Sequence, residues 1–115
     1  MEKEKEKTQQ AQTFDGGVTP EQVEAWKNKH RKVYRVDIVD GADTHIGYFK
    51  RPDFATIKAI TKVAKTDEVE AGKVMFNNCW LGGSEELKED AVLFMAVQVQ
   101  LGKLVNGCMG SLKNL

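Results

Sequence analysis

Residues 45–60, His-Ile-Gly-Tyr-Phe-Lys-Arg-Pro-Asp-Phe-Ala-Thr-Ile-Lys-Ala-Ile, change their hydrophobic period at a proline. Before Pro52 the pattern alternates and places Ile46 and Tyr48 on one face. After it Phe54, Ile57, Ile60 and Ala64 recur every three to four residues. Side chains that alternate belong to a strand, and side chains that recur near a period of 3.6 belong to a helix. Arg51-Pro52 is therefore a strand-to-helix joint, with proline at an early helical position where its missing N–H costs nothing. The joint predicts a small mixed fold and carries no reaction chemistry.

Upstream, Val33 to Val39 alternates as well, with Tyr34, Val36 and Ile38 predicted inward and Arg35 and Asp37 outward. Asp40-Gly41-Ala42-Asp43 is turn chemistry, so Thr44 to Lys50 returns as the second arm of a β-hairpin. A lone hairpin is marginal in water. Helices must cover its apolar face, or a third strand must come from elsewhere in the chain or from another copy. Thr19-Pro20-Glu21-Gln22 predicts a helix start, with Thr19 as cap, Pro20 in the first turn and Gln22 completing a capping box. That helix should run to His30 or Arg31 and seal onto the body through Val23 and Trp26. Residues 1–17, opening Glu-Lys-Glu-Lys-Glu-Lys and closing on Asp15-Gly16-Gly17, have little to bury and are expected to form a flexible tail.

Downstream, a helix is expected over Asp53–Lys65 and another from Thr66-Asp67-Glu68, its acids placed where the helix dipole favours them. Val69, Gly72 or Lys73, Phe76 and Cys79-Trp80 give the apolar spacing of this third helix. It is expected to stop at Leu81-Gly82-Gly83, since glycine takes a left-handed turn without strain. Ser84 to Leu87 reads as a short capped turn. Asp90 then opens the longest helix, Ala91 to about Asn106, which is apolar on most sides. Such a helix is central to its own core or lies in an interface. The expectation is one α+β domain over residues 18–115, a hairpin packed with about four helices.

A chain of 115 residues suffices for one modest core, and its apolar fraction of 41% and charged fraction of 30% are ordinary for a globular protein. No apolar run reaches the roughly 20 residues of a membrane helix, and the charged N-terminus lacks the apolar centre of a secretion signal. A cytoplasmic location follows as the default. Seventeen Lys/Arg balance seventeen Asp/Glu, which argues against a dedicated nucleic-acid binder. The distribution is uneven: Thr19–Thr66 holds ten bases and six acids, and Asp67 to the end holds four and seven. Such asymmetry suits head-to-tail contact between copies, or an internal match between halves, and the second is favoured.

Catalytic patterns are absent. His30 falls at a helix end and His45 in a strand, with no Ser or Cys motif beside either. His30, His45, Cys79 and Cys108 lack paired-ligand spacing, so no metal is expected, and both cysteines are expected to be buried reduced thiols. Gly82-Gly83-Ser84 precedes a helix, but no P-loop lysine follows, and no cofactor is expected. Lys27, Lys29, His30, Arg31, Lys32 and Arg35 form a basic cluster over residues 27–35 with only Trp26 and Tyr34 as nearby aromatics. A solvated helix end is the favoured reading of it, and a small regulatory or nucleic-acid-binding module the alternative. Met and Trp adapt well to irregular partner surfaces, which singles out Trp80-Leu81, Met75, Phe94, Met95 and Met109. Core packing is the favoured reading of these residues and an interface the other.

The order of elements carries a resemblance. A hairpin ends in Tyr48-Phe49-Lys50-Arg51-Pro52 and leads into a helix; Asn78 to Glu86 follows later, and Lys88-Glu89-Asp90 opens the final apolar helix. Over residues 33–115 this layout resembles the tail assembly chaperones of long-tailed bacteriophages and prophages. The tail and the Thr19-Pro20 helix lie outside the match. The resemblance implies a non-enzymatic protein of the bacterial host cytoplasm, often an oligomer. It would hold the tape-measure protein soluble and recruit tail-tube subunits. A holdase needs exposed apolar surface, so Trp80, Leu81, Phe94 and Met95 are expected at or near a protein contact.

Overall fold

The computed structural model describes residues 11–115. Its elements in order are β1 (Gln12–Phe14), α1 (Pro20–Lys29), β2 (Val33–Asp40), β3 (Asp43–Lys50), α2 (Phe54–Ala64), α3 (Glu68–Cys79), β4 (Trp80–Gly83), α4 (Glu86–Glu89) and α5 (Ala91–Val105). The α+β class and the hairpin are as the sequence predicts. Each major helix begins at a side chain able to cap it. Thr19 and Gln22 form the reciprocal capping box of α1, and Asp53, Asp67 and Asp90 accept backbone N–H bonds at the starts of α2, α3 and α5.

β3 is the centre of the four-stranded sheet. β2 lies antiparallel along one edge, from Val33 opposite Lys50 to Asp40 opposite Asp43. The other edge is shared end to end. β1 runs parallel beside Asp43–His45, and β4 runs antiparallel beside Gly47–Phe49. The third strand that the hairpin needs thus comes from this chain, and twice over. Of the expected tail, residues 1–10 lie outside the described residues; Gln12–Phe14 is strand rather than tail, because the free half-edge of β3 offers backbone partners.

The third helix also ends differently from the expectation. Trp80 is extended, at φ −64° and ψ 130°, while its N–H still donates to the Phe76 carbonyl. It therefore finishes α3 and begins β4 with no loop between them. Gly82 and Gly83 belong to the strand, not to a left-handed helix stop. Gly83 has φ +140°, and a Cβ there would overlap the Ile46 carbonyl oxygen; opposite it, a Cβ on Gly47 would stand 2.9 Å from Leu87 Cδ1. Backbone meets backbone at this pair because neither strand carries a side chain there.

Register divides the hairpin into two covered faces. Val36 opposite Gly47, and Tyr34 opposite Phe49, share the face under α3 and α5. There Val36, Ile38, Phe49, Met75, Phe76, Cys79, Leu87, Leu93, Phe94, Val97 and Leu101 form the core. Ile46 and Tyr48 point the other way, where Trp26 of α1 lies 5.6 Å from the Tyr48 ring. Pro52 precedes the cap residue Asp53 and so sits just outside α2, not within its first turn. Phe54, which the period assigns to the buried stripe, is 94% exposed. Thr56 is buried in its place, and Ile60 packs partly against the core.

One core feature is unfavourable. Gln98 Nε2 is buried with no hydrogen-bond partner among the described residues, and its side chain occupies the space that a Cβ on Gly72 of α3 would enter. Removing an unsatisfied buried donor relieves a desolvation penalty of about 1–3 kcal/mol. Gln98→Met should therefore raise unfolding stability by about 1 kcal/mol, seen as a higher urea midpoint at unchanged slope. A lower midpoint would show that the amide is satisfied.

Candidate functional site

α5 carries two apolar stripes. Leu93, Phe94, Val97 and Leu101 are buried, while Val92, Met95 and Val99 are 78%, 54% and 64% exposed. Spacings of three and four residues place the second set on one line along the helix. The helix that the sequence left between core and interface thus has one stripe in the core and one exposed. Val69 of α3, 55% exposed, lines a cleft together with Met95. Between α3 and α5 lies a cavity of about 530 Å³ lined by Phe76, Phe94, Val69 and Met95, with Lys73 and Lys88 among its polar lining residues. A further cleft lined by Glu68, Gly72 and Gln98 shares Val69, Phe94 and Met95 with it.

Of the four expected contact residues, Met95 is exposed and lines this groove, and Phe94 lines it while only 9% exposed. Trp80 is half-buried. It stacks on Phe76 at 5.1 Å and meets Phe49 edge-on at 5.4 Å, and Lys88 Nζ lies 4.6 Å from its ring centroid. Leu81 is half-buried in β4. Neither Trp80 nor Leu81 lines the groove. Val69 lines the groove as well, and Val92 and Val99 are exposed on the same helix as Met95 without lining it; none was singled out from the sequence, although the three-and-four spacing of 92, 95 and 99 was available to find the exposed stripe.

His45 has polar company that its sequence neighbours do not reveal. Its Nδ1 lies 2.9 Å from Ser84 Oγ, its Nε2 lies 3.7 Å from Glu86 Oε2, and the Phe14 ring stacks on it at 4.9 Å. Serine, histidine and carboxylate in contact resemble a hydrolytic triad. The geometry does not serve that chemistry: Ser84 is 4% exposed and His45 3%, and none of the three lines any of the four clefts. A nucleophile must reach its substrate. This trio instead ties β1, β3 and the start of α4 together.

A second surface is basic. His30, Arg31 and Lys32 from the α1–β2 connection and Lys50 and Arg51 from the end of β3 line a cavity of about 690 Å³, with Phe54 beside them. Burial first, then Lys50 and Lys29, push the His30 pKa below the usual histidine value. Arg51 donates to Cys108 Sγ at 3.4 Å. Cys108 is exposed, contrary to the expectation of two buried thiols, because the chain beyond α5 does not fold back into the core. Cys79 is fully buried beside Met75, and burial pushes its thiol up to about 11. Among the described residues no group of three His, Cys, Asp or Glu is placed to hold a metal ion, and no helix is long and apolar enough to cross a membrane.

No protein-family model and no curated protein matches this chain. Its fold is similar to the solved structure of an uncharacterised protein from Bacillus stearothermophilus. The TM-score is 0.57 at 23% identity, over 80% of this chain and 99% of that one. At that identity the likeness carries the fold alone.

Two measurements check these placements. Trp80→Ala should cost about 2–3 kcal/mol, below the roughly 3–5 kcal/mol of a fully buried aromatic, whereas exposed Met95→Ala should change stability by less than about 0.5 kcal/mol. Equal effects in urea unfolding would contradict the assignment of Trp80 to the core and Met95 to the surface. Native protein near neutral pH should show one thiol reactive toward Ellman's reagent, Cys108. Cys79, held protonated, should react only after unfolding; two native reactive thiols would contradict its burial.

Proposed function

We propose that this protein is a non-enzymatic assembly module that docks an apolar helix of another chain in the groove between α3 and α5. The observation that carries this reading is that exposed Met95 and Val69 line a cavity together with Phe76 and Phe94, while Val92 and Val99 extend exposed apolar surface along the same helix as Met95. An amphipathic partner helix anchors in such a groove through side chains at i, i+3 and i+7. The charged lining is balanced, Lys73 and Lys88 against Glu89 and Glu68, so the apolar face of the client carries the recognition.

The resemblance of residues 33–115 to phage tail assembly chaperones supplies the finer form of the reading. The client is then the tape-measure protein, a tail-tube subunit is the next partner, and the setting is the bacterial cytoplasm. Self-association through the same stripe, giving a homo-oligomer, would shield it until a client arrives.

Met95→Glu combined with Val99→Glu tests the reading, since both side chains are exposed and should leave the folded state intact. The double variant should fail to retain a tape-measure helix peptide that the unaltered protein retains, with thermal unfolding little changed. Light scattering should show any self-association reduced as well. Undiminished retention would overturn the groove as the docking site.

A further inference from the structure

Hairpin register brings together two basic runs that are far apart in sequence. Val33 pairs with Lys50, so the residues just before β2, Arg31 and Lys32, stand beside those that end β3 and follow it, Lys50 and Arg51. With His30 they line one side of a cavity of about 690 Å³, and Pro52, Phe54 and Ile57 line the other. Among the described residues none of Arg31, Lys32, Lys50 or Arg51 enters an ion pair; the described pairs involve other residues. The one acid lining the cavity, Asp53, is already engaged. Its carboxylate accepts the Thr56 N–H at 2.8 Å as the cap of α2, and the hydrogen bonds from Thr56 hold its pKa below the usual carboxylate value.

Phe54 is the second unusual feature. It stands in the first turn of α2, 94% exposed, where the helical period would have buried it. A large apolar ring left in water at the mouth of a basic cleft has a physical use in stacking a planar group. Four permanent cations spread over two chain segments exceed what one phosphate needs and suit a chain of phosphates.

We propose that this cleft binds single-stranded nucleic acid, with phosphates on Arg31, Lys32, Lys50 and Arg51 and one base stacked on Phe54. The cluster at residues 27–35 alone is only a solvated helix end; register adds the second pair of cations, and the α2 start adds the ring. Duplex is not the favoured ligand, because its bases are already stacked and leave Phe54 without a partner. The chain's zero net charge makes the attraction local to this cleft. This site shares no lining residue with the α3–α5 groove, so it stands apart from the proposed client docking.

Fluorescence anisotropy of the full-length protein with a short fluorescein-labelled oligothymidylate tests the proposal. Binding at low salt should weaken with a log–log slope of roughly −3, as four phosphate contacts on a single strand require. Arg31→Gln with Lys32→Gln, both exposed, should halve that slope. Phe54→Ala should lower affinity roughly 5- to 150-fold, the range for loss of one stacked base, and leave the slope unchanged. Met95→Glu should leave all three results unaltered, which separates this site from the groove. No binding at low salt overturns the proposal. So does binding that is indifferent to Phe54, or a duplex bound as tightly as the single strand, since either reduces the cleft to a charge-only surface.

Discussion

Three rings hold this fold together. Phe49 of β3 has no exposed surface, and the edges of Phe76 and Trp80 meet it at 5.3 and 5.4 Å. Phe76 in turn stacks on Trp80 at 5.1 Å and contacts Phe94 of α5 at 5.4 Å. Each such pair contributes about 0.5–1.5 kcal/mol beyond the area it buries. The cluster also imposes a geometric constraint. Phe76 and Trp80 are four residues apart across the α3–β4 junction, so the helix must end where the strand begins. With Trp80 fixed opposite Phe49, Gly82 is carried against Tyr48 and Gly83 against Gly47, and β4 stops at Gly83 with half of the β3 edge uncovered. β1 fills that half.

The hairpin could be read from residues 33–50, and its two faces could have been read more fully. A turn that pairs Asp40 with Asp43 makes every opposed pair sum to 83. Even-numbered residues of β2 therefore share a face with odd-numbered residues of β3. Val36 and Ile38 go with Phe49, Gly47 and His45, while Ile46 and Tyr48 go to the opposite side. Because both faces carry apolar residues, the sheet needs cover on both, and the amphipathic α1 with Trp26 supplies the second. The same arithmetic extends past the strand ends to set Lys32 beside Arg51. The capped helix starts were equally open to reading, since Thr19, Asp67 and Asp90 need only local chemistry.

Trp80–Gly83 was hidden for a different reason. Four residues with two glycines have low strand propensity, and only tertiary pairing with β3 makes them extended. Local signals favoured a glycine stop, and the Phe49 contact overrode them. Phe54 misled in the opposite direction. It fits the helical period of Ile57 and Ile60, but Asp53 sets where α2 begins and so sets the rotation of its first turn. That rotation buries Thr56 and turns Phe54 to solvent. At the groove, the apolar character of α5 was plain, but which side met water depended on where α3 packed.

Where function can reside follows from what packing leaves open. The most reactive-looking cluster, His45 with Ser84 and Glu86, is closed off by Phe14 stacked on the imidazole and by the β3–β4 approach at Gly47 and Gly83. Its hydroxyl is committed to a buried histidine nitrogen, and a buried polar pair of this kind is retained when it is mutually satisfied. Chemistry would require the strand edge to open, which the Gly47–Gly83 pairing opposes. The open surfaces are instead an apolar helix line and a cationic cleft, and they arise from different parts of the chain. The cleft is built from residues 30–57 and the groove from residues 68–98. Surfaces of such different character select partners by different forces, one weakened by salt and the other not. On the two proposed readings recognition belongs to these faces, and the core serves to hold them in place.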